Sequence, residues 1–401
     1  MSDQKHFITK IYIDKLLNLE NISISLSLEK KQHLLMTGKN GSGKTSLLNA
    51  IKQTLSAIND ESWMDYKQGS NAKPTVFIQG QPAVPVRSYQ KYSTGIHIEF
   101  NTDEVLDSAF SSGNFITAFF SADRKTNIAL ANGVEDVKLS SVYDFNADPA
   151  QLLIKYMVHL KTQQAYARQE NDTAVENSIK KWFDRFQSAL GELLDDKSLK
   201  LEYNYKQYNF LIHQKDKLPF GFNQLSDGYS SIIRIVSDLI LRMEQNWLLK
   251  GNISTYDIEG IAIIDELETH LHIELQRKIL PFLTSFFPNI QFIISTHSPY
   301  ILTSIPNAVI YDLENKVTFT DLTNYSADDV AQAFFTAEEY SIKLADDIER
   351  YRFLSQKDNL TEEEIIEKTR LAMSLKDVPG KLASRIKNEF EELAGDANGT
   401  I

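Results

Sequence analysis

The chain has 401 residues, 42% of them hydrophobic, which suits one large α/β domain with insertions or two domains of ordinary size. It has no cysteine, which excludes a disulfide framework, a cysteine-based zinc site and a thiol nucleophile, and suits a reducing compartment. The formal net charge of −12 argues against broad unassisted binding to nucleic acid, because neutralising phosphates takes Lys and Arg.

The charge is uneven: residues 321–401 hold 18 acidic and 10 basic side chains. The start, Met1-Ser2-Asp3-Gln4-Lys5-His6, has no apolar stretch of signal-peptide type. No run approaches the ~18 apolar residues of a membrane span. The longest, Ile232 to Leu241, is broken by Arg234 and Asp238. A soluble cytoplasmic protein with no membrane association is expected.

Ile8 to Leu28 alternate loosely and predict short antiparallel strands. His33 to Thr37 read as a compact buried strand that feeds a glycine-rich loop. Thr45 to Ile58 read as a helix with Leu47, Leu48, Ile51 and Leu55 on one face. Asp60 to Tyr92 mix Gly, Pro, Ser and Gln, and predict loops with short strands. Gly95 to Phe100 alternate as a strand, and Phe115 to Phe120 form a continuous buried strand ending at Ser121-Ala122-Asp123-Arg124. From Pro149 to Asp195 the period turns helical, with a break expected at Gln169 to Asp172. Strand-like residues Leu199 to His213 follow, then a long helix from Ser226 to Leu249. Ile261 to Ile264 and Phe292 to Ile294 are wholly apolar, as in a parallel sheet covered on both faces. From Ser326 onward helices are expected, one of them opened by a capping box at Thr361 to Glu364.

Gly38-Lys39-Asn40-Gly41-Ser42-Gly43-Lys44-Thr45 matches the phosphate-binding-loop pattern in full. Glycines let the backbone wrap an anion with successive N–H groups pointing inward. The helix that follows presents its N-terminus to the same phosphates. Gly38, Asn40, Gly41, Ser42, Gly43, Lys44, Thr45 and Ser46 are therefore the expected ATP-binding residues. Lys44 is expected to reach the terminal phosphates and Thr45 to hold Mg²⁺.

Asp265-Glu266 follow an apolar strand, where a carboxylate is placed to hold Mg²⁺ through water and the next one to polarise the attacking water. A surface acidic pair is the plainer alternative. His297 ends another such strand, at the sheet edge where ligands bind, and is expected to contact the γ-phosphate. Ser226, in Leu225-Ser226-Asp227-Gly228, reads either as an N-cap or, with Gly228, as a second anion site.

The order of these motifs resembles an ABC-type ATPase head. The finer resemblance is to the RecF/SMC and OLD-like group, through Ile264-Asp265-Glu266-Leu267-Glu268-Thr269-His270-Leu271-His272, with Leu267 where that group has proline, and through Thr296-His297-Ser298-Pro299. The resemblance covers about Ile8 to Asp312. It implies an α/β P-loop NTPase fold with an antiparallel β lobe, a helical insertion and a helical C-terminal extension. The expected division is residues 1–148, 149–197, 198–320 and 321–401. It also implies ATP hydrolysis with Glu266, His297 and Lys44 as catalytic residues and Thr45 and Asp265 as metal ligands. ATP is expected to lie between the phosphate loop of one copy and Ser226 and Gly228 of another, giving a homodimer or higher homo-oligomer.

Similar ATPases occur in bacterial anti-phage defence systems such as Septu, PARIS and Gabija. That implies a separate effector, a nuclease or toxin, with DNA or a phage component as a candidate trigger. A RecF-like repair ATPase binding DNA directly is the alternative, and a transporter subunit fits poorly. Two departures stand out. No glutamine follows the strand Phe115 to Phe120, and Arg124 there reads as a phosphate contact or a solvated loop residue. No Toprim pattern of clustered carboxylates follows either. Pro149 to Asp195 is too short for an SMC arm, and reads as a truncated arm, a lid, or an ordinary helical subdomain.

Overall fold

The computed structural model describes residues 6–57, 64–65, 75–78, 81–85, 87–91, 94–102, 106–124, 129–250, 258–335, 350–351, 353–355, 357 and 361–376. The chain divides into two compact units, residues 1–335 and 336–401. The first opens with two strands, β1 (Ile8–Leu16) and β2 (Leu19–Ser25), paired antiparallel with Ile11 opposite Ile24 and Ile13 opposite Ile22. Alternation puts these isoleucines together on the buried face. Next come β3 (His33–Thr37) and α1 (Lys44–Ala57), then β4 (Met64–Asp65), β5 (Thr75–Ile78), β6 (Gln81–Pro85), β7 (Arg87–Lys91) and β8 (Ile96–Phe100). Five of these strands make an antiparallel sheet in the order β2-β1-β8-β7-β4, while β5 and β6 pair with each other. Much of the segment expected to mix loops and strands, residues 60–92, lies outside the described residues.

After α2 (Leu106–Ser111) and β9 (Phe115–Phe120), a helical hairpin rises: α3 (Leu153–Gln169) and α4 (Thr173–Leu193). The break falls at Glu170 to Asp172, as the sequence suggests. Asn171 turns there with a φ of +60°, and the Asp172 carboxylate accepts the Val175 N–H at 3.1 Å to cap α4. Trp182 stacks on Phe186 with centroids 5.3 Å apart, and the inner face of the hairpin joins the core beneath the large sheet. Strands β10 (Lys200–Asn204), β11 (Asn209–His213) and β12 (Phe220–Gly221) form a small antiparallel sheet, and α5 (Asp227–Lys250) follows.

The remaining elements of the first unit are β13 (Glu259–Ile264), α6 (Ile273–Phe286), β14 (Ile290–Ser295), α7 (Pro299–Leu302), β15 (Ala308–Asp312), β16 (Val317–Thr320) and α8 (Ala327–Phe335). Six strands make the central sheet, in the order β16-β15-β3-β14-β13-β9. All neighbours are parallel except the edge strand β16. Alternate residues of β13 serve two cores. Ile261 and Ile263 face α1 and the antiparallel sheet, while Ala262 and Ile264 face α5, α6 and the hairpin. That double burial is why the run carries no polar residue. The register sets Ile264 beside both Ile294 and Phe120, and Met36 beside Ser295. The strands thus end on one edge, and the loops leaving that edge carry the site.

In the second unit α9 (Glu362–Lys376) starts on the expected capping box. The Glu364 N–H donates to Thr361 Oγ1 at 3.3 Å, and the Thr361 N–H donates to the Glu364 carboxylate at 3.0 Å. Residues 336–349 and 377–401, where further helices are expected, lie outside the described residues.

Candidate phosphate-binding and hydrolytic site

β3 is buried along its whole length and ends at Thr37. The chain then turns through Gly38, Gly41 and Gly43 with φ of +133°, +84° and +100°. Side chains resist that region, so these three positions need glycine. At Gly38 space is short as well: an added Cβ meets Ser42 Oγ at 3.0 Å and the Glu314 N at 3.3 Å. The Lys44 Nζ donates to the Gly38 carbonyl at 2.7 Å and the Lys39 carbonyl at 3.0 Å, folded over its own loop. Burial lowers the Lys44 pKa below its usual range, while the carboxylates of Glu266, Asp265, Glu268 and Asp312 pull it back up. Asn40 and Gly41 are exposed at the tip, Ser42, Gly43 and Ser46 are half-buried, and Lys39 pairs with Glu314 at 2.8 Å.

Two segments far apart in sequence close the site. Thr45 Oγ1 donates to Asp265 Oδ2 at 2.9 Å, and Ser295 Oγ donates to Asp265 Oδ1 at 2.5 Å. The Asp265 N–H continues the sheet by donating to the Phe120 carbonyl at 2.8 Å. Glu266 then sits at a φ of +48°, and its N–H donates to Ser295 Oγ at 2.8 Å. A left-handed conformation costs a residue with a side chain roughly 1–2 kcal/mol, so the hydrogen bonds around it must hold it. Asp265-Glu266 is therefore not a solvated surface pair: Asp265 is buried and Glu266 half-buried.

β14 delivers the histidine. The Thr296 N–H donates to the Met36 carbonyl at 2.9 Å, which ties the loop after β14 to the end of β3. The Glu268 carboxylate accepts from Thr296 Oγ1 at 2.7 Å and from the His297 N–H at 2.5 Å. Ser298 Oγ donates to Gln276 on α6 at 2.6 Å. Burial first and the Lys44 charge second lower the His297 pKa, so the ring is neutral around pH 7.

Ser226 precedes α5, is exposed, and its carbonyl accepts the Ser230 N–H at 2.9 Å. Gly228 is buried, and a Cβ there meets the His270 carbonyl at 2.5 Å. Among the described residues no hydrogen bond joins Ser226 or Gly228 to the phosphate loop. The loop, Asp265, Glu266 and His297 thus share one sheet edge within the chain, while Ser226 and Gly228 stand at the start of another element.

Arg124 corrects both readings of the sequence. It is neither a phosphate contact nor solvated, but 4% exposed, with its donors spent on backbone and serine oxygens. Sequence reasoning also gave no role to Ser295 and Glu268. A serine directly after the apolar run Phe292 to Ile294, and a third acid two residues after Glu266, were the available signals.

The Thr45 hydroxyl and the Asp265 carboxylate converge beside the loop, and both are hard oxygen donors of the kind Mg²⁺ takes. Among the described residues no group of three or more His, Cys, Asp and Glu forms a cage for a metal. An ion held by these two donors would take phosphate and water oxygens as well, as Mg²⁺ commonly does.

A parallel sheet whose strand ends gather a glycine loop, a carboxylate pair and a histidine, with an antiparallel lobe packed on through α1, is an α/β P-loop ATPase fold, built as the resemblance to ABC-type heads implies. Residues 145–303 match the family model described as "AAA domain, putative AbiEii toxin, Type IV TA system". That stretch holds Ser226, Asp265, Glu266 and His297 but not the phosphate loop.

Among curated proteins the chain is similar to the Septu protein PtuA of Bacillus mycoides, 26% identical over 78% of this chain and 41% of that protein. It is also similar to the retron Ec83 probable ATPase of Escherichia coli, 36% identical over 27% of this chain and 20% of that protein. The chain thus spans less than half the length of these relatives. Among solved structures it is similar to the SMC head domain from Thermotoga maritima, at 15% identity and a TM-score of 0.37, over 76% of this chain and 94% of that one. No described helix is long and apolar enough to cross a membrane.

Proposed function

We propose that this chain binds and hydrolyses ATP, and that the cycle opens and closes a dimer that controls a partner effector in a defence system against phage. The observation that carries the first part is the meeting of Thr45 with Asp265 beside a complete phosphate loop. The names of the Septu and retron relatives support the second part.

In this reading Lys44 releases its loop carbonyls and turns to the terminal phosphates. Thr45 and Asp265 hold Mg²⁺, which when bound neutralises charge developing on the β- and γ-phosphates. Glu266 accepts a proton from the attacking water as general base. His297, neutral and held by Glu268 through its backbone, donates a hydrogen bond to the γ-phosphate. Ser226 and Gly228, at the start of α5, meet the same phosphate from a second copy of the chain, where backbone N–H groups and the helix dipole favour an anion. ATP then joins two chains, and hydrolysis separates them.

The effector is a separate protein, a nuclease or toxin, and the acidic residues 321–401 favour a basic surface on it. Affinity purification of the native assembly from its host, with and without infection, tests this. A co-purifying nuclease or toxin whose activity changes in a Glu266→Gln background is the expected result. Tight, salt-sensitive binding of duplex DNA by the isolated chain, with no protein partner, favours direct action on DNA instead.

A further inference from the structure

Arg124 leaves the C-terminal end of β9 where no glutamine is available. Its Nε donates to Ser231 Oγ at 2.9 Å, and Nη1 donates to the carbonyls of Ser121 at 3.1 Å and Asp265 at 2.5 Å. Nη2 donates to the carbonyls of Glu266 at 2.8 Å and Leu267 at 3.4 Å. A guanidinium has five N–H groups in one rigid plane, so these five acceptors use it up. Burial lowers its pKa to about 10, which leaves it charged near neutrality.

Three of the acceptors are successive carbonyls, those of Asp265, Glu266 and Leu267. They are the backbone of the turn that presents the two carboxylates. The Glu266 N–H is held by Ser295 and its carbonyl by Arg124, so the left-handed residue is fastened on both sides. The fourth contact reaches elsewhere. Ser231 lies on the first turns of α5, five positions after Ser226, and is buried. A second contact joins the same segments: Gly228 lies so close to the His270 carbonyl that a Cβ is excluded. The start of α5 and the turn after β13 are thus linked at two points within one chain.

We propose that Arg124 is a positioning residue that fixes Glu266 for water activation and makes that geometry depend on how α5 is seated. The proposal rests on Glu266 being the general base and on Ser226 meeting a second copy. A chain that presses on the start of α5 moves Ser231, and Arg124 passes the shift to the Glu266 carbonyl. Hydrolysis in one site then answers to closure around the signature residues of the same chain, which serve the other site.

The test compares full-length wild type, Arg124→Lys, Ser231→Ala and Glu266→Gln for binding of a fluorescent ATP analogue, steady-state turnover and its dependence on protein concentration. Arg124→Lys is expected to bind ATP as wild type does, with kcat lowered about 100-fold, the scale of a misplaced catalytic group. Ser231→Ala leaves the four carbonyl contacts in place, and its turnover is expected to respond less steeply to protein concentration. Normal kcat in Arg124→Lys, or equal losses of binding and turnover, overturns the proposal. So does an unchanged concentration dependence in Ser231→Ala. Slow turnover in Glu266→Gln beside normal turnover in Arg124→Lys overturns the positioning role alone. Normal turnover in Glu266→Gln overturns the base assignment, and this proposal with it.

Discussion

Thr45 and Asp265 stand 220 positions apart in the chain and meet at 2.9 Å. The first residues of α1 and the end of β13 are brought together because β3 and β13 flank β14 in one parallel sheet. A hydroxyl and a carboxylate held in this way are the pair that the proposed function assigns to Mg²⁺ beside a bound nucleotide.

Lys44 is the first residue of that helix and the main cation of the loop. Lys44→Ala removes the charge-assisted contact to phosphate that the proposed function gives this residue, and leaves a gap over the carbonyls of Gly38 and Lys39. ATP affinity is expected to fall by at least roughly 3 kcal/mol, about 150-fold. Isothermal titration measures it, and unchanged affinity contradicts the phosphate-loop assignment.

Ser226 is exposed, so a large side chain there can be tolerated by the fold. Ser226→Arg is expected to keep ATP affinity within about a factor of three, because the phosphate loop is untouched, and to lose most turnover. Gly228→Ala is a poorer probe, since its Cβ collides with the His270 carbonyl inside the same chain. Full turnover in Ser226→Arg, measured by phosphate release, argues against a site shared between copies.

His33 gives a pH test separate from the chemistry. It is buried at the start of β3, where its Nδ1 accepts the Phe292 N–H at 3.1 Å. Burial, aided by the Lys31 charge, lowers its pKa from 6.5 to about 3. Between those values the unfolded chain binds a proton that the folded chain refuses. Stability is therefore lost as pH falls through this window and regained as it rises. At about pH 5 the loss from this residue is about 2 kcal/mol relative to neutral pH. His33→Asn keeps an acceptor for Phe292 and should flatten the dependence of urea midpoint on pH by that amount. An unchanged slope means His33 titrates in the folded chain.

Much of this was legible in the sequence, and the reason is physical. The apolar runs at Ile261 to Ile264 and Phe115 to Phe120 announce strands buried on two faces, which the two cores on either side of the sheet explain. The glycines of the loop stand at positive φ, a demand that composition can display. Arg124 was not legible, because a charged residue in a loop is usually solvated, and only the fold brings five oxygens around it. Glu268 likewise holds the Thr296 hydroxyl and the His297 N–H, and no spacing rule links an acid to groups 28 and 29 positions away. The hairpin of α3 and α4 was visible as helices, but its merging with the central core depends on Trp182, Phe183 and Phe186 meeting partners distant in sequence.

In the proposed cycle ATP, held beside Thr45 and Asp265, joins two copies until Glu266 directs its hydrolysis. Glu266→Gln isolates it, because the amide keeps the shape and loses the base. Hydrolysis should fall by about 10²–10⁴-fold with ATP still bound. Sedimentation velocity of this variant with ATP and Mg²⁺ is the direct measurement. A shift from monomer to dimer is expected on adding ATP, reversed when Ser226→Arg is added. A variant that binds ATP fully yet sediments as a monomer at every concentration contradicts it.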